Sequence, residues 1–379
     1  MLNKTSNEFK LLILVSQITP SRDKILALFK KGIRQEYLVD LALANGVLPL
    51  VYQELSKHKE FSIHHNIKKY ALKIKNTNFF MSAQLLQLVF LLKEKNISIL
   101  PIKGPLLAEH AYKDLGLRPF SDLDILAKED DLTQIAEILL KMGYQNEKDL
   151  CALTHPFILK NFSDISFIHP TTELVIELHW KLLKSSRAAL SDISALFKHQ
   201  IILPFQNTEL PSLDLEEEFL YLCVHAAKHR FERIEWMNDL NHLYELHSKD
   251  YDWNKLLLLA EDENYLSPYH LALSILESHF HRDLHNPKPN YHIKIQKLHK
   301  KVFLLHSQDY VLKEKKTGIR WMELSFSIQL EDSFLKKISL LKTVLFPLYI
   351  DDILKMKKLP KYLTFLYYFN RIRRVLGFN

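Results

Sequence analysis

The residues best suited to chemistry are the aspartates of Ser121-Asp122-Leu123-Asp124. On a strand, residues two apart share a face, so Asp122 and Asp124 project together while Leu123 and Ile125 turn to the core. Two carboxylates this close repel, and setting them beside an apolar run is costly without compensation. A divalent cation is the natural compensation, and Mg²⁺ favours a few carboxylates together with phosphate oxygens and water. A solvated polar strand face is the plainer reading of Asp-x-Asp alone.

A second strand, Glu173 to Trp180, sharpens the choice. Glu173, Val175, Glu177 and His179 share one face; Leu174, Ile176, Leu178 and Trp180 share the other. So apolar a face belongs in a sheet. Beside the Asp122 strand, Glu177 becomes a third carboxylate, able to help activate a hydroxyl as general base. Upstream, Gly104 falls where a strand meets a helix, where backbone N–H groups and the helix N-terminus favour an anion. Lys103 adds a point charge, and Arg118 can grip a phosphate with two parallel hydrogen bonds. His225 and His229 lie four apart on a helix, but Ala226 stands where a His-Glu-x-x-His zinc site needs its glutamate. They are read as lining a cleft beside Lys228 and Asp239, against the plainer alternative of helix packing. His179 and Trp180 are read as packing residues.

The elements that must position these groups are mostly helices. Seven glycines in 379 residues, with abundant Leu, Lys and Glu, favour helix. Residues 1–95 read as helices, with Asn45-Gly46 closing one and a long helix running from about Ile67 to Glu94. Residues 96–182 form a compact α/β island. Its strands are expected at 97–103, 122–127, 162–168 and 173–180, with helices over 104–113 and 130–142. Residues 183–379 return to helix, with a capping box at Asp214–Glu217, a helix over 234–247 and a loop over 286–293. The fold class is α+β, a small mixed sheet between helical N- and C-terminal regions.

The hydrophobic share is 47% and the charged share 25%, ordinary for a globular chain. Two cysteines without a CxxC pattern support neither a disulfide framework nor a zinc knuckle. No stretch reaches the roughly 20 apolar residues of a membrane span, and no signal-peptide pattern is present, so a cytoplasmic location is expected. The net charge is +7, and seven cations with no acid lie in residues 355–379, leaving the remaining 44 basic and 44 acidic residues in balance. The basic character thus belongs to one aromatic-rich tail, suited to packing or to weak contact with a membrane surface. No sequence-specific nucleic-acid binding is expected.

The order strand, glycine, helix, Asp-x-Asp, carboxylate strand resembles the DNA polymerase β-type nucleotidyltransferase superfamily. More narrowly, the chain resembles an uncharacterised bacterial nucleotidyltransferase family. The matching pieces are Asn45-Gly-Val-Leu-Pro-Leu50, Ile102-Lys-Gly104, Arg118-Pro-Phe-Ser-Asp-Leu-Asp-Ile125, Ile176-Glu-Leu-His-Trp180, His225-Ala-Ala-Lys-His229 and Trp236-Met-Asn-Asp-Leu240. Lys103-Gly104 stands where the superfamily usually has Gly-Ser. An arginine just before the aspartates is also similar to aminoglycoside nucleotidyltransferases. The resemblance implies transfer of a nucleoside monophosphate from an NTP, ATP included, to a small-molecule or protein hydroxyl. It implies Mg²⁺ (or Mn²⁺) on Asp122, Asp124 and Glu177. Lys103, Gly104, Arg118, Ser121, His225, Lys228, His229 and Asp239 would then serve the nucleotide. The alternative is a catalytically idle nucleotide-binding or scaffold protein working through its helices and tail.

Overall fold

A computed structural model describes residues 5–367 apart from 62, 147, 184–191, 285–292, 308–316, 346–347, 357–358, 360–362 and 365. The architecture is α+β and mostly helical. A four-stranded sheet is formed by β1 (Leu100–Pro101), β2 (Asp122–Leu126), β3 (Asp164–Ile168) and β4 (Val175–His179), in the order β1-β2-β4-β3. The β2–β4 pair is parallel; β1–β2 and β3–β4 are antiparallel. The mixed sheet follows from the connections. Residues 169–174 join β3 to β4, closed by hydrogen bonds between His169 and both Glu173 and Leu174. The crossover from β2 to β4 carries helices and β3, long enough to return the chain parallel.

Alternation placed the faces as expected. Leu123 and Ile125 on β2, and Ile176 and Leu178 on β4, are buried in one core with Trp180. The β4 strand is shorter than expected at its start. Glu173 sits in the turn at φ 58°, so it belongs to the connection. The first strand also shrinks to two residues.

Among the described residues five helices precede the sheet, and the fifth, His65–Lys93, is continuous over 29 residues. It joins two hydrophobic cores. Ile67 and Ala71 pack with the N-terminal helices, whereas Met81, Leu85, Leu88 and Leu92 pack under the sheet. The first core also takes in the helices Leu215–Lys228, Ile234–His247 and Leu266–Phe280. Chain segments on either side of the sheet therefore share one interior. Residues Asn45-Gly46 help tie them: the Asn45 carbonyl accepts from the Glu235 N–H at 3.0 Å, and its side-chain oxygen from the Ile234 N–H at 3.3 Å.

The capping box at Asp214 and Glu217 is present and opens helix Leu215–Lys228. An all-helical reading of 183–379 needs correction: Ile201–Phe205 (β5) and Thr208–Ser212 (β6) form a two-stranded antiparallel sheet. Its two-residue turn holds Gln206 at φ 52°, and β-branched Ile201-Ile202 with Pro204 disfavours helix there. Of the loop expected over 286–293, Ile293 instead opens a helix, Ile293–Ser307, and the rest lies outside the described residues. In the cation-rich segment 355–379, Lys355 is exposed and Tyr367 is buried against Phe157, ring centroids 4.6 Å apart; the segment's other six cations lie outside the described residues.

Candidate active site

The parallel register sets Asp124 directly beside Glu177. Parallel neighbours in register send their side chains to the same face, so one face of the β2–β4 pair gathers Asp122, Asp124, Glu177 and His179. His179 Nε2 lies 3.0 Å from Asp124 Oδ1 and 3.4 Å from Glu177 Oε2. Ligand atoms of Asp124, Glu177 and His179 all fall within 4.8 Å of one another, a group able to hold a metal ion. Asp122, expected as the neighbouring ligand, is not part of that compact group. It sits two residues earlier on the strand, at the more open end.

Lys103 reaches the same carboxylate from the other side, its Nζ 2.9 Å from Asp124 Oδ2. Oδ2 is buried, with this ammonium as its close ionic partner. Burial opposes the charge on Asp124, but Lys103 and His179 outweigh it and hold the carboxyl well below its ordinary range. Asp122 moves the opposite way, pushed up by burial and by the charge on Asp124. His179 is pushed up to about 9: burial works against its charge, and hydrogen bonds to Asp124 and Glu177 overcome it. Three acids with two cations drawn to them make a face that attracts positive charge.

Gly104 begins the helix Gly104–Tyr112 at φ 58°, a left-handed conformation that glycine adopts without penalty. A Cβ there would lie 3.4 Å from the Asp122 carbonyl oxygen. The turn thus runs close against β2 and lets Lys103 fold back onto Asp124. Ser121 is exposed at the entrance to β2.

Arg118 and Asp239 need a correction. Arg118 Nε and Nη2 donate to Asp239 Oδ1 and Oδ2 at 2.8 and 2.9 Å, and the Tyr112 hydroxyl donates to Oδ1 at 2.8 Å. Both ionic partners are buried. The guanidinium fork expected to grip phosphate is spent inside the protein, and Asp239 does not line a cleft. The pair instead braces the loop before β2 on helix Ile234–His247. Asn78 holds that loop from below by donating to the carbonyls of Leu115 and Arg118.

His225, on helix Leu215–Lys228, lies near enough to the site to feel its charges. His225 is held well below its ordinary value by burial and then by the positive charge of Lys103, and it feels Asp124 as well. Tyr221, one turn earlier, is pushed up to about 12 by burial while Lys103 draws it down. His225 and His229 pack edge-on and tilted against Trp236, ring centroids 5.8 and 4.8 Å away. Lys228 is exposed. His179 is the residue that sequence reasoning missed. Its place on the Glu177 face was visible in the alternation; its reach to Asp124 depends on the parallel neighbour.

Facing carboxylates on adjacent parallel strands, with His179 beside them and the Gly104 turn running close by, form a group able to hold a metal ion. The chain belongs to a family of uncharacterised nucleotidyltransferases, whose model matches residues 31–301. Membership supports a nucleotidyl-transfer function, and the matched span contains Lys103, Gly104, Asp122, Asp124, Glu177 and His179. No curated protein and no solved structure is detectably similar to the chain.

Proposed function

We propose that the protein transfers a nucleoside monophosphate from an NTP to a hydroxyl of a small molecule or protein, using Mg²⁺ or Mn²⁺ on a polymerase β-type nucleotidyltransferase sheet. The observation that carries this reading is the register pairing of Asp124 with Glu177, with Asp122 on the same face. The residues fit such an ion. Carboxylate oxygens are hard donors, and Asp122 is pushed up by burial and then by the charge on Asp124, both of which a bound cation would offset. Asp122, Asp124 and Glu177 would hold it, with His179 orienting the two carboxylates it touches. The bound ion would offset charge on the triphosphate and on departing pyrophosphate.

The remaining work falls to the chain. Glu177 is about one-third exposed and stands at the open side of the site, placed to take the proton of the attacking hydroxyl. The acceptor oxygen bonds to the α-phosphorus as the bond to pyrophosphate breaks. The Gly104 turn offers backbone N–H groups, and Lys103 a positive charge, to the phosphates. Lys103 is already within reach and need only exchange Asp124 for a phosphate oxygen.

One observation favours the alternative of an idle binding protein: Lys103 itself neutralises Asp124. Thermal stability with each NTP, with and without Mg²⁺, separates the readings. Ligand at about 100 times its dissociation constant adds about 2.7 kcal/mol. The expected result is an Mg²⁺-dependent rise for at least one NTP, lost in Asp122→Asn/Asp124→Asn, and release of pyrophosphate when acceptors are supplied. Equal NTP binding without the metal, and unchanged in the double variant, would establish the idle reading.

A further inference from the structure

The helix Phe334–Leu345 carries an apolar face that the described residues leave exposed. Phe334 is 73% exposed, Leu335 69%, Val344 52%, Ile338 49% and Leu341 38%. At 100° per residue, Phe334, Ile338 and Leu341 fall within one narrow sector, with Leu335 and Val344 at its two edges. The opposite side is anchored. Lys336 donates to the Glu263 carbonyl at 2.6 Å and lies 3.9 Å over the Tyr265 ring. Just before the helix, Asp332 accepts from the Ser267 N–H at 2.8 Å and from Lys294 at 2.7 Å. The helix is thus held in place with its greasy side outward.

Charge says what that side meets. Lys337 and Lys342 flank the apolar sector, one on each edge, and the helix contains no acid. Downstream, residues 355–379 add seven cations and no acid. A second copy of the chain would bring these like charges together across the shared face. An anionic surface would not. The helix is 12 residues, about 18 Å long, too short for a hydrocarbon core of roughly 30 Å. Among the described residues no helix is long and apolar enough to cross a membrane. An apolar strip edged by lysines is the pattern of a helix lying in the plane of a lipid interface.

We propose that helix Phe334–Leu345 seats the protein on an anionic lipid surface, its apolar strip among the acyl chains and its lysines at the headgroups. This inference is independent of the transfer reaction.

The test is flotation of the full-length protein with vesicles of phosphatidylcholine alone, and of phosphatidylcholine mixed with phosphatidylglycerol, at low and high salt. The expected result is binding to the anionic vesicles, weakened by salt. Phe334→Ser/Ile338→Ser/Leu341→Ser should lower the partition coefficient at least about tenfold, since one buried large apolar side chain alone is worth about that factor. These side chains are largely outside the core, so the melting temperature should stay unchanged. Lys337→Glu/Lys342→Glu should weaken binding without touching the apolar face. The proposal is overturned by absence of binding to anionic vesicles. It is equally overturned by undiminished binding of the triple variant, which would assign attachment to the tail. A dimer in solution that the triple variant dissolves, with no vesicle binding, would assign the face to a second copy.

Discussion

Arg118 shows how far one side chain's role depends on partners remote in sequence. Its fork is closed on Asp239, with Tyr112 on the same carboxylate. Removing one member of a buried ion pair leaves the other charge uncompensated and costs about 3 kcal/mol or more. Arg118→Met should therefore lower the melting temperature sharply in the absence of any nucleotide. Arg118→Lys should recover little, because an ammonium cannot reproduce two parallel bonds. A phosphate-binding role predicts the reverse, with unchanged stability and weakened NTP affinity, and urea denaturation alongside NTP titration separates the two. The partner was hidden for a physical reason. Residues 121 positions apart carry no periodicity linking them, and an arginine before two aspartates looks the same whether its fork turns inward or outward. Asp122 and Asp124 were legible, since strand alternation is local.

At the scale of elements, the site depends on the turn at Gly104 and on the β2–β4 register. A Cβ at Gly104 would be strained in the left-handed conformation and would touch the Asp122 carbonyl at 3.4 Å. Gly104→Ala should cost about 1–2 kcal/mol and, if the turn meets phosphate, weaken NTP binding as well. Thermal melts and nucleotide titration of the variant check both. Sequence patterning foretold the long helix, the capping box at Asp214 and helix Ile234–His247 well, because amphipathic spacing and caps act within a few residues. It missed the hairpin Ile201–Ser212, whose Gln206-Asn207 turn lacks the glycine that usually marks such a connection. It also could not establish that β4 lies parallel to β2, which is what turns His179 from a packing residue into the partner of Asp124.

For the whole molecule, buried titratable groups in the core joining the N- and C-terminal helices set the response to pH. Glu218 is pushed up to about 8 by burial and by Asp239, Arg118 pulling the other way. His110, 3.6 Å from it, is pushed down to about 4 by burial and by His247, so at neutral pH this contact joins two uncharged groups. His242 is pushed down to about 4 as well, by burial. The unfolded chain protonates both histidines below about 6.5 while the folded one resists, so stability falls with acidification from about 6.5 to 4. Folded Glu218 keeps a proton that the unfolded chain has lost above about 4.5, so its contribution declines as pH rises towards 8. Glu217 and Glu235, each pushed up to about 7 by burial, and His179, pushed up to about 9, act in the same sense as Glu218. His306, pushed down to about 4 by burial, acts with the other two histidines, so the maximum falls near 6.5. Between there and pH 8, Glu218 accounts for a decline of about 2 kcal/mol. Glu218→Gln should make that alkaline limb shallower in melts recorded across the range, leaving the part carried by His179, Glu217 and Glu235.

The helix His65–Lys93 has a mechanical consequence. It contains neither glycine nor proline, and its two ends are embedded in different cores. Sharp bending of a helix occurs at proline, at glycine or where its hydrogen-bond ladder is interrupted. The rod therefore acts as a splint across the seam where the β2–β4 carboxylates meet Tyr221 and His225. The two halves cannot swing apart like a clamshell about this connection. Any movement between the halves has to come from the connections and side chains around this helix rather than from a bend within it.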